Sequence, residues 1–454
     1  MHVLTSLSRA EARQEALALI RLALPLMAGQ LSGIGVELVN TVLAGHLGPR
    51  VLGATAVGGN VFVLAMIAVV GVMMALPPSV AQIDGAGRRR EIGPLFRQAV
   101  YLALGLGVLM QQALWWGGPA LVALSGLEPG VEADAGAFLH AVSPGVPALG
   151  LFAACRGLSD GLSRPKPGMA FGLLGLGLLV PIAYALMYGR LGLPPRGASG
   201  SGAATALVLW LEAIGFAAYL RVSPSYRALG WERGRRGPDL AAILGLLRLG
   251  APMAAGLLLE VGLFSGAGLL IARFGAAAAA SHQLALSATS AAFMAPLGLA
   301  MAITVRVGLA AGRRDPAGVR RAGLVGVSLT LLTQAVSCAA MAGLPRAIVS
   351  LYTRDPAITA GAVTLLGYAA LYQFSDGVQV TANGALRGLK DAKVPLLITA
   401  FSYWGVGMPI GWLLAFQLGL RAPGMWIGLT AGLSCAAGLL LMRFLRLTFV
   451  AAQR

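Results

Sequence analysis

Four carboxylates sit inside long apolar stretches of this 454-residue chain: Glu37, Glu212, Glu260 and Asp376. An ionisable group at membrane depth is costly, so a functional role is its default reading. Glu260 lies twelve residues after Arg248, and Asp376 lies eleven residues before Arg387. On helices rising ~1.5 Å per residue, those spacings give heights of about 18 and 17 Å above the basic ends. Two acids at nearly one height can bind Na⁺ or share a proton. Tyr372 falls one turn from Asp376 and Gln373 three residues away, adding oxygens on nearby faces. Glu37 stands about 24 Å above Arg21 by the same arithmetic, three residues before Asn40 and on its helix face. It is a candidate to supply a carboxylate beside the amide at 40. Glu212 is alone at its depth, and the sequence leaves its role open between coupling and structure.

Other reactive residue types are sparse. Cys155, Cys338 and Cys435 are odd in number, have no CxxC spacing and read as small buried hydrophobes. His140 and His282 have no second metal-type ligand beside them, so structural roles are expected and no metal centre or cofactor is implied beyond a coupling ion. The glycines at 172, 175 and 177 mimic a dinucleotide-binding fingerprint, but no strand precedes them. They read as helix-packing positions that allow close backbone approach.

The elements that must position these acids follow from composition. Hydrophobic residues make up 57% of the chain and charged residues 11%, with a mean hydropathy of +0.79. So few charges cannot cover a globule of this size, which excludes a soluble enzyme and a disordered scaffold. A crossing helix needs about 20 apolar residues. Scanning at that length finds twelve spans, near 17–44, 51–82, 93–117, 132–160, 166–190, 200–222, 240–272, 276–307, 318–343, 356–386, 394–417 and 423–446. The second and fourth contain Pro77, Pro78, Pro144 and Pro147 and are expected to bend. No cleaved leader is expected, because the first run is too long for one. The fold class is therefore an all-α polytopic membrane protein.

The net charge of +17 resembles a nucleic-acid signal until its placement is read. With the N-terminus inside, 27 of the 34 lysines and arginines fall on inner segments, including Arg233, Arg235, Arg236 and Arg454. The outer loop at 118–131 has none. Cationic loops stay cytoplasmic, so both termini are expected inside and no nucleic-acid partner is needed. The lipid bilayer is the partner, at the inner (plasma) membrane.

The chain also matches itself at half its length. At an offset of 227, Arg21, Pro25 and Gly29 meet Arg248, Pro252 and Gly256, Gly48 meets Gly275, and Lys166 meets Lys393. Two pseudo-symmetric six-helix lobes in tandem are expected, 1–222 and 240–454, joined by a cytoplasmic linker at 223–239. Six is even, so the repeats are parallel, an arrangement suited to rocking two bundles about a central site.

Six stretches carry a family resemblance: LVNTVLAGHLG at 38–48, RGLSDGLSRPKPGM at 156–169, LEVGLF at 259–264, SHQLAL at 281–286, RVGLAAGRRD at 306–315 and YQFSDGVQVTANGALRGLKD at 372–391. The chain resembles the multidrug and toxic compound extrusion (MATE) transporters of the bacterial NorM branch over essentially its whole length. The resemblance implies twelve helices in two bundles forming a V, and Na⁺- or H⁺-coupled export of amphipathic, often cationic compounds by a monomer that is not an enzyme. It implies a second-lobe cation site at Glu260 and Asp376, with Tyr372 beside them. Many relatives carry Asp where this chain has Asn40, and an amide offers neither an exchangeable proton nor a formal charge. A flippase of lipid-linked intermediates is the alternative, which should show a cationic central cavity. An intramembrane enzyme is less favoured, since no HExxH, GxGD or DDxxD pattern occurs.

Overall fold

Among the described residues, twelve helices long and apolar enough to cross a membrane run Arg9–His46 (α1), Pro49–Gly85 (α2), Arg89–Ala123 (α3), Pro129–Gly161 (α4), Lys166–Tyr188 (α5), Gly197–Val222 (α6), Leu240–Ala272 (α7), Ala276–Gly312 (α8), Pro316–Gly343 (α9), Pro356–Gly388 (α10), Lys393–Gln417 (α11) and Arg421–Phe449 (α12). They come from a computed structural model that describes residues 9–190, 192, 194–232 and 237–453. Arg233, Arg235, Arg236 and Arg454 lie outside the described residues, and no strand occurs among those described. Large apolar side chains such as Trp116, Leu269 and Leu397 are mostly exposed. In water that would be costly; against lipid it is the expected outer face of a spanning helix.

Proline's missing N–H and ring interrupt two helices, while Pro25, Pro119, Pro181, Pro252 and Pro296 sit inside continuous ones. The ladder of α2 breaks between Met73 and Leu76, just before Pro77 and Pro78. In α4 a 3-10 turn at Ser143–Gly145 surrounds Pro144. A third irregularity has no counterpart in the apolar pattern: α11 contains π-helical turns at Phe401–Gly407 and Leu413–Gln417, flanking Pro409. Here Gly407 and Gly411 let α12 approach backbone to backbone, because a Cβ on Gly428 would lie 2.6 Å from the Gly407 carbonyl oxygen.

Backbone conformation repeats at the half-chain offset. Gly48 and Gly275, which precede α2 and α8, have φ of 111° and 108°, values open to glycine at little cost. Ser163 and Lys390, also 227 apart, have φ of 59° and 60°, and Gly87 and Arg314 have 73° and 56°. Left-handed conformations at a serine, an arginine and a lysine are uncommon, so their recurrence in matched turns is a property of the repeat.

By contacts the chain divides into two compact units, Ala28–Ala255 and Met1–Met27 with Gly256–Arg454. Both divisions fall inside a helix, between Pro25 and Gly29 of α1 and between Pro252 and Gly256 of α7, which are themselves a repeat pair. The start of α1 therefore groups with the second unit, a partition that the span boundaries do not reveal. In the first unit, the described part of the 223–239 segment is docked rather than slack. Tyr226 is fully buried, shares a 2.9 Å hydrogen bond with Ser159 and accepts at its carbonyl from Trp231. Gln98 joins it by donating to the Gly237 carbonyl at 3.1 Å.

Candidate functional site

Within the second unit, α7 brings Glu260 and α10 brings Asp376 and Tyr372 to one cavity of about 250 Å³. Tyr372 and Asp376 are one turn apart on α10 and are 3% and 4% exposed. The Tyr372 hydroxyl is within hydrogen-bonding reach of the Asp376 carboxylate. The second carboxylate oxygen, Oδ1, is buried and has no hydrogen-bond partner among the described protein groups. Ser265 of α7 and Thr289 and Ser290 of α8 also line the cavity. The two α8 hydroxyls donate to the Leu286 carbonyl, each at 2.8 Å. With their protons committed to the helix, their oxygens retain lone pairs for a cation.

The walls are aromatic. Phe264 and Phe293 line the cavity, Phe264 meets Tyr372 edge-on at 6.3 Å between centroids, and Trp426 meets Tyr372 at 5.7 Å. A cluster of hard oxygens inside an apolar wall suits a small cation or a proton, since an ionised acid in such surroundings needs a positive partner. Such a site could also meet a cationic ring compound through the aromatic faces.

One neighbour was not singled out in the sequence as a site residue. Arg387 is buried in the last turn of α10, and its charge acts on Glu260 and on the buried Tyr403. A signal for it exists: eleven residues is close to three full turns, so Arg387 lies on the face of Asp376. The reverse holds for Gln373, expected near the acids. It is fully buried but turned to α9, where Gln334 donates to its side-chain oxygen at 2.7 Å and to its carbonyl at 2.8 Å. Adjacent residues on a helix point about 100° apart, and the cavity took Tyr372 instead. His282 is buried with neither nitrogen hydrogen-bonded, packed edge-on against Trp426 at 5.8 Å.

In the first unit, Asn40 donates to the Thr205 hydroxyl at 3.2 Å, and Thr205 passes its own proton to the Ser201 carbonyl at 3.0 Å. Glu37 is exposed, so the structure gives Asn40 a hydroxyl partner and leaves Glu37 outside that bond. Glu212 is half-buried, with its carboxylate against Gly175. The glycines of α5 do not all serve backbone approach: Gly172 faces the Ser32 hydroxyl, and Gly177 meets nothing within 4 Å.

The family model described as MatE matches residues 25–185 and 252–413. These segments start 227 residues apart, the offset already seen in sequence and backbone. The chain is 46% identical over 423 residues to the probable multidrug resistance protein NorM of Xanthomonas campestris pv. campestris, covering 93% of this chain and 92% of that one. It is 37% identical over 438 residues to the multidrug resistance protein PmpM of Pseudomonas aeruginosa, covering 96% and 92%. Among solved structures it superposes on the eukaryotic MATE transporter AtDTX14 with a TM-score of 0.85 at 20% identity, covering 98% and 99% of the two chains. An outward-facing multidrug resistance MATE family transporter of the MOP superfamily matches with a TM-score of 0.89 at 18% identity, covering 97% of each.

Proposed function

The chain belongs to the MatE family, and on that premise we propose that it is a cation-coupled exporter of amphipathic, often cationic drug-like compounds that works by alternating access. The observation carrying this reading is the cavity that joins Glu260 of α7 to Asp376 and Tyr372 of α10. Two ionised carboxylates there leave negative charge in a low-dielectric wall, and Arg387 offsets only part of it. One Na⁺ or one proton removes the remainder. A conformational change that carries the pair across the membrane is then cheap when it is occupied and costly when it is charged. Ion entry from outside and ion loss inside would bias the exporter's two states in opposite directions, which is what coupling requires. All three side chains come from one chain, so a monomer suffices.

Proteoliposomes with separately imposed gradients test this. Efflux of a cationic dye driven by a Na⁺ or a proton gradient is expected; equal efflux with both gradients collapsed would overturn the coupled reading.

The orientation proposed has both termini and the loop at 83–92 in the cytoplasm, with residues 118–131 outside. Leu124 is 84% exposed and Arg89 has a 61% exposed side chain, so cysteines at these two positions would be reachable. In a cysteine-free background, an impermeant thiol reagent should label position 124 and spare 89 in intact cells. The opposite pattern would invert the topology.

A further inference from the structure

Of the four acids at depth the export reading uses Glu260 and Asp376; Glu37 is exposed, which leaves Glu212. We propose that Glu212, together with Arg156 and Asp160, forms a second, proton-binding site inside the first unit, with Glu212 carrying the proton.

The site is built on one face of α5. Gly168, Gly172 and Gly175 are spaced four and three residues apart and so lie in one stripe. Polar groups from three other helices fill it. The Arg156 stem of α4 packs at Gly168, 3.2 Å from where a Cβ would stand, and the Ser32 hydroxyl of α1 comes to 2.7 Å at Gly172. The Glu212 carboxylate of α6 occupies the space at Gly175. The Arg156 guanidinium also packs at Gly29 of α1, 3.2 Å from where a Cβ would stand. A side chain at Gly172 or Gly175 would displace the Ser32 hydroxyl or the Glu212 carboxylate, and one at Gly168 would crowd the Arg156 stem.

Their mutual satisfaction is incomplete. Arg156 Nε lies 3.5 Å from Asp160 Oδ2, while Ser32 donates to the Gly29 carbonyl at 2.8 Å. Arg156 Nη2 and Asp160 Oδ1 are buried with no hydrogen-bond partner among the described protein groups, and Asp160 is only 4% exposed. From the helices packed against α6, the charged group acting on Glu212 is Arg156, and Asp160 is tied to that arginine. Lys166 and Arg221 stand at helix ends.

Charge counting then decides the chemistry. Two carboxylates and one guanidinium leave a net charge of −1. Glu212 lies nine residues before Arg221, about 14 Å up a helix, where an unbalanced charge is expensive. One added positive charge restores neutrality. A metal ion would need several oxygen ligands and would be repelled by the guanidinium; a proton needs only a carboxylate oxygen. The site stands in the half of the chain where Asn40 supplies an amide, so the first unit retains an exchangeable proton by other means. Its use in transport rests on the export reading, but its protonation does not.

Infrared difference spectroscopy on the purified full-length protein tests it, read at the carboxylic C=O stretch while pH is raised. A band that vanishes on raising the pH should be present in the wild type and in a Glu260→Gln/Asp376→Asn double variant, and absent from Glu212→Gln. Sodium at fixed pH should leave it unchanged. A second variant needs no change at Glu212: Arg156→Gln should add another carboxylic band, because two acids then need two protons. Identical bands in wild type and Glu212→Gln, removal of the band by sodium, or no added band in Arg156→Gln would each overturn the proposal. Absence of drug efflux with an intact Glu212 band would sink the export reading alone.

Discussion

Glu260→Gln and Asp376→Asn, each made alone, are expected to cut gradient-driven export by about 100-fold or more, the scale of losing a hydrogen-bonded charge from a buried site. Each amide fits the space of the acid it replaces, so the cavity between α7 and α10 keeps its shape. Asn at 376 still accepts from Tyr372, now within reach of the Asp376 carboxylate. What disappears is the formal charge and the exchangeable proton. Tyr372→Phe removes one neutral donor and leaves both acids, so a loss of only about tenfold is expected there. The measurement is dye efflux from proteoliposomes loaded with equal amounts of monodisperse protein. Normal export by both single amide variants would remove the cation site from this cavity, whatever the fate of Tyr372.

The contrast between Tyr372 and Gln373 shows where reading the sequence stops. Chain position along a helix gives height, because every residue rises ~1.5 Å. Height is why Glu260 and Asp376 could be paired from spacing alone. Azimuth needs a reference face, and in lipid the apolar pattern supplies little, since both the buried and the lipid-facing sides are apolar. Tyr372 and Gln373 were therefore equally eligible, and only packing sends Gln373 to Gln334. The same ambiguity hid the filling of the α5 stripe: Gly172 and Gly175 announce close approach but not that Ser32 and Glu212 are what approaches. Proline, by contrast, acts through its own backbone, so the breaks near Pro77 and Pro144 were readable locally. The π turns around Pro409 were not, because a π turn and a kink are alternative responses to the same missing donor.

Arginine was legible in number but not in use. Counting places Arg156, Arg306 and Arg387 at inner ends, where the positive-inside bias explains them. The structure gives each a specific carboxylate as well: Asp160 for Arg156, Glu15 for Arg306 and the field of Glu260 for Arg387.

Removing Arg306 should therefore destabilise the second unit more than any surface charge would. Its guanidinium grips Glu15 of α1 with two bonds, Nε to Oε1 at 2.8 Å and Nη2 to Oε2, the planar fork that matches a carboxylate. One turn earlier on α1, Glu11 pairs with Arg321 of α9 at 3.1 Å. Together they hold the N-terminal part of α1 onto α8 and α9. The Glu15 side chain is only 7% exposed and that of Arg306 27%. Arg306→Met leaves a carboxylate buried without its partner, a change that costs about 3 kcal/mol. That figure sits at the low end for buried pairs because Arg306 is partly screened. The melting temperature of the purified protein should fall by about 5–10 °C. Glu15→Gln combined with Arg306→Met removes both charges, and replacing a buried pair by neutral groups is close to neutral. The double variant should recover more than half of the lost stability. If it melts as low as Arg306→Met alone, the stranded charge is not the cause, and the packing of the arginine stem against α1 would account for the loss instead.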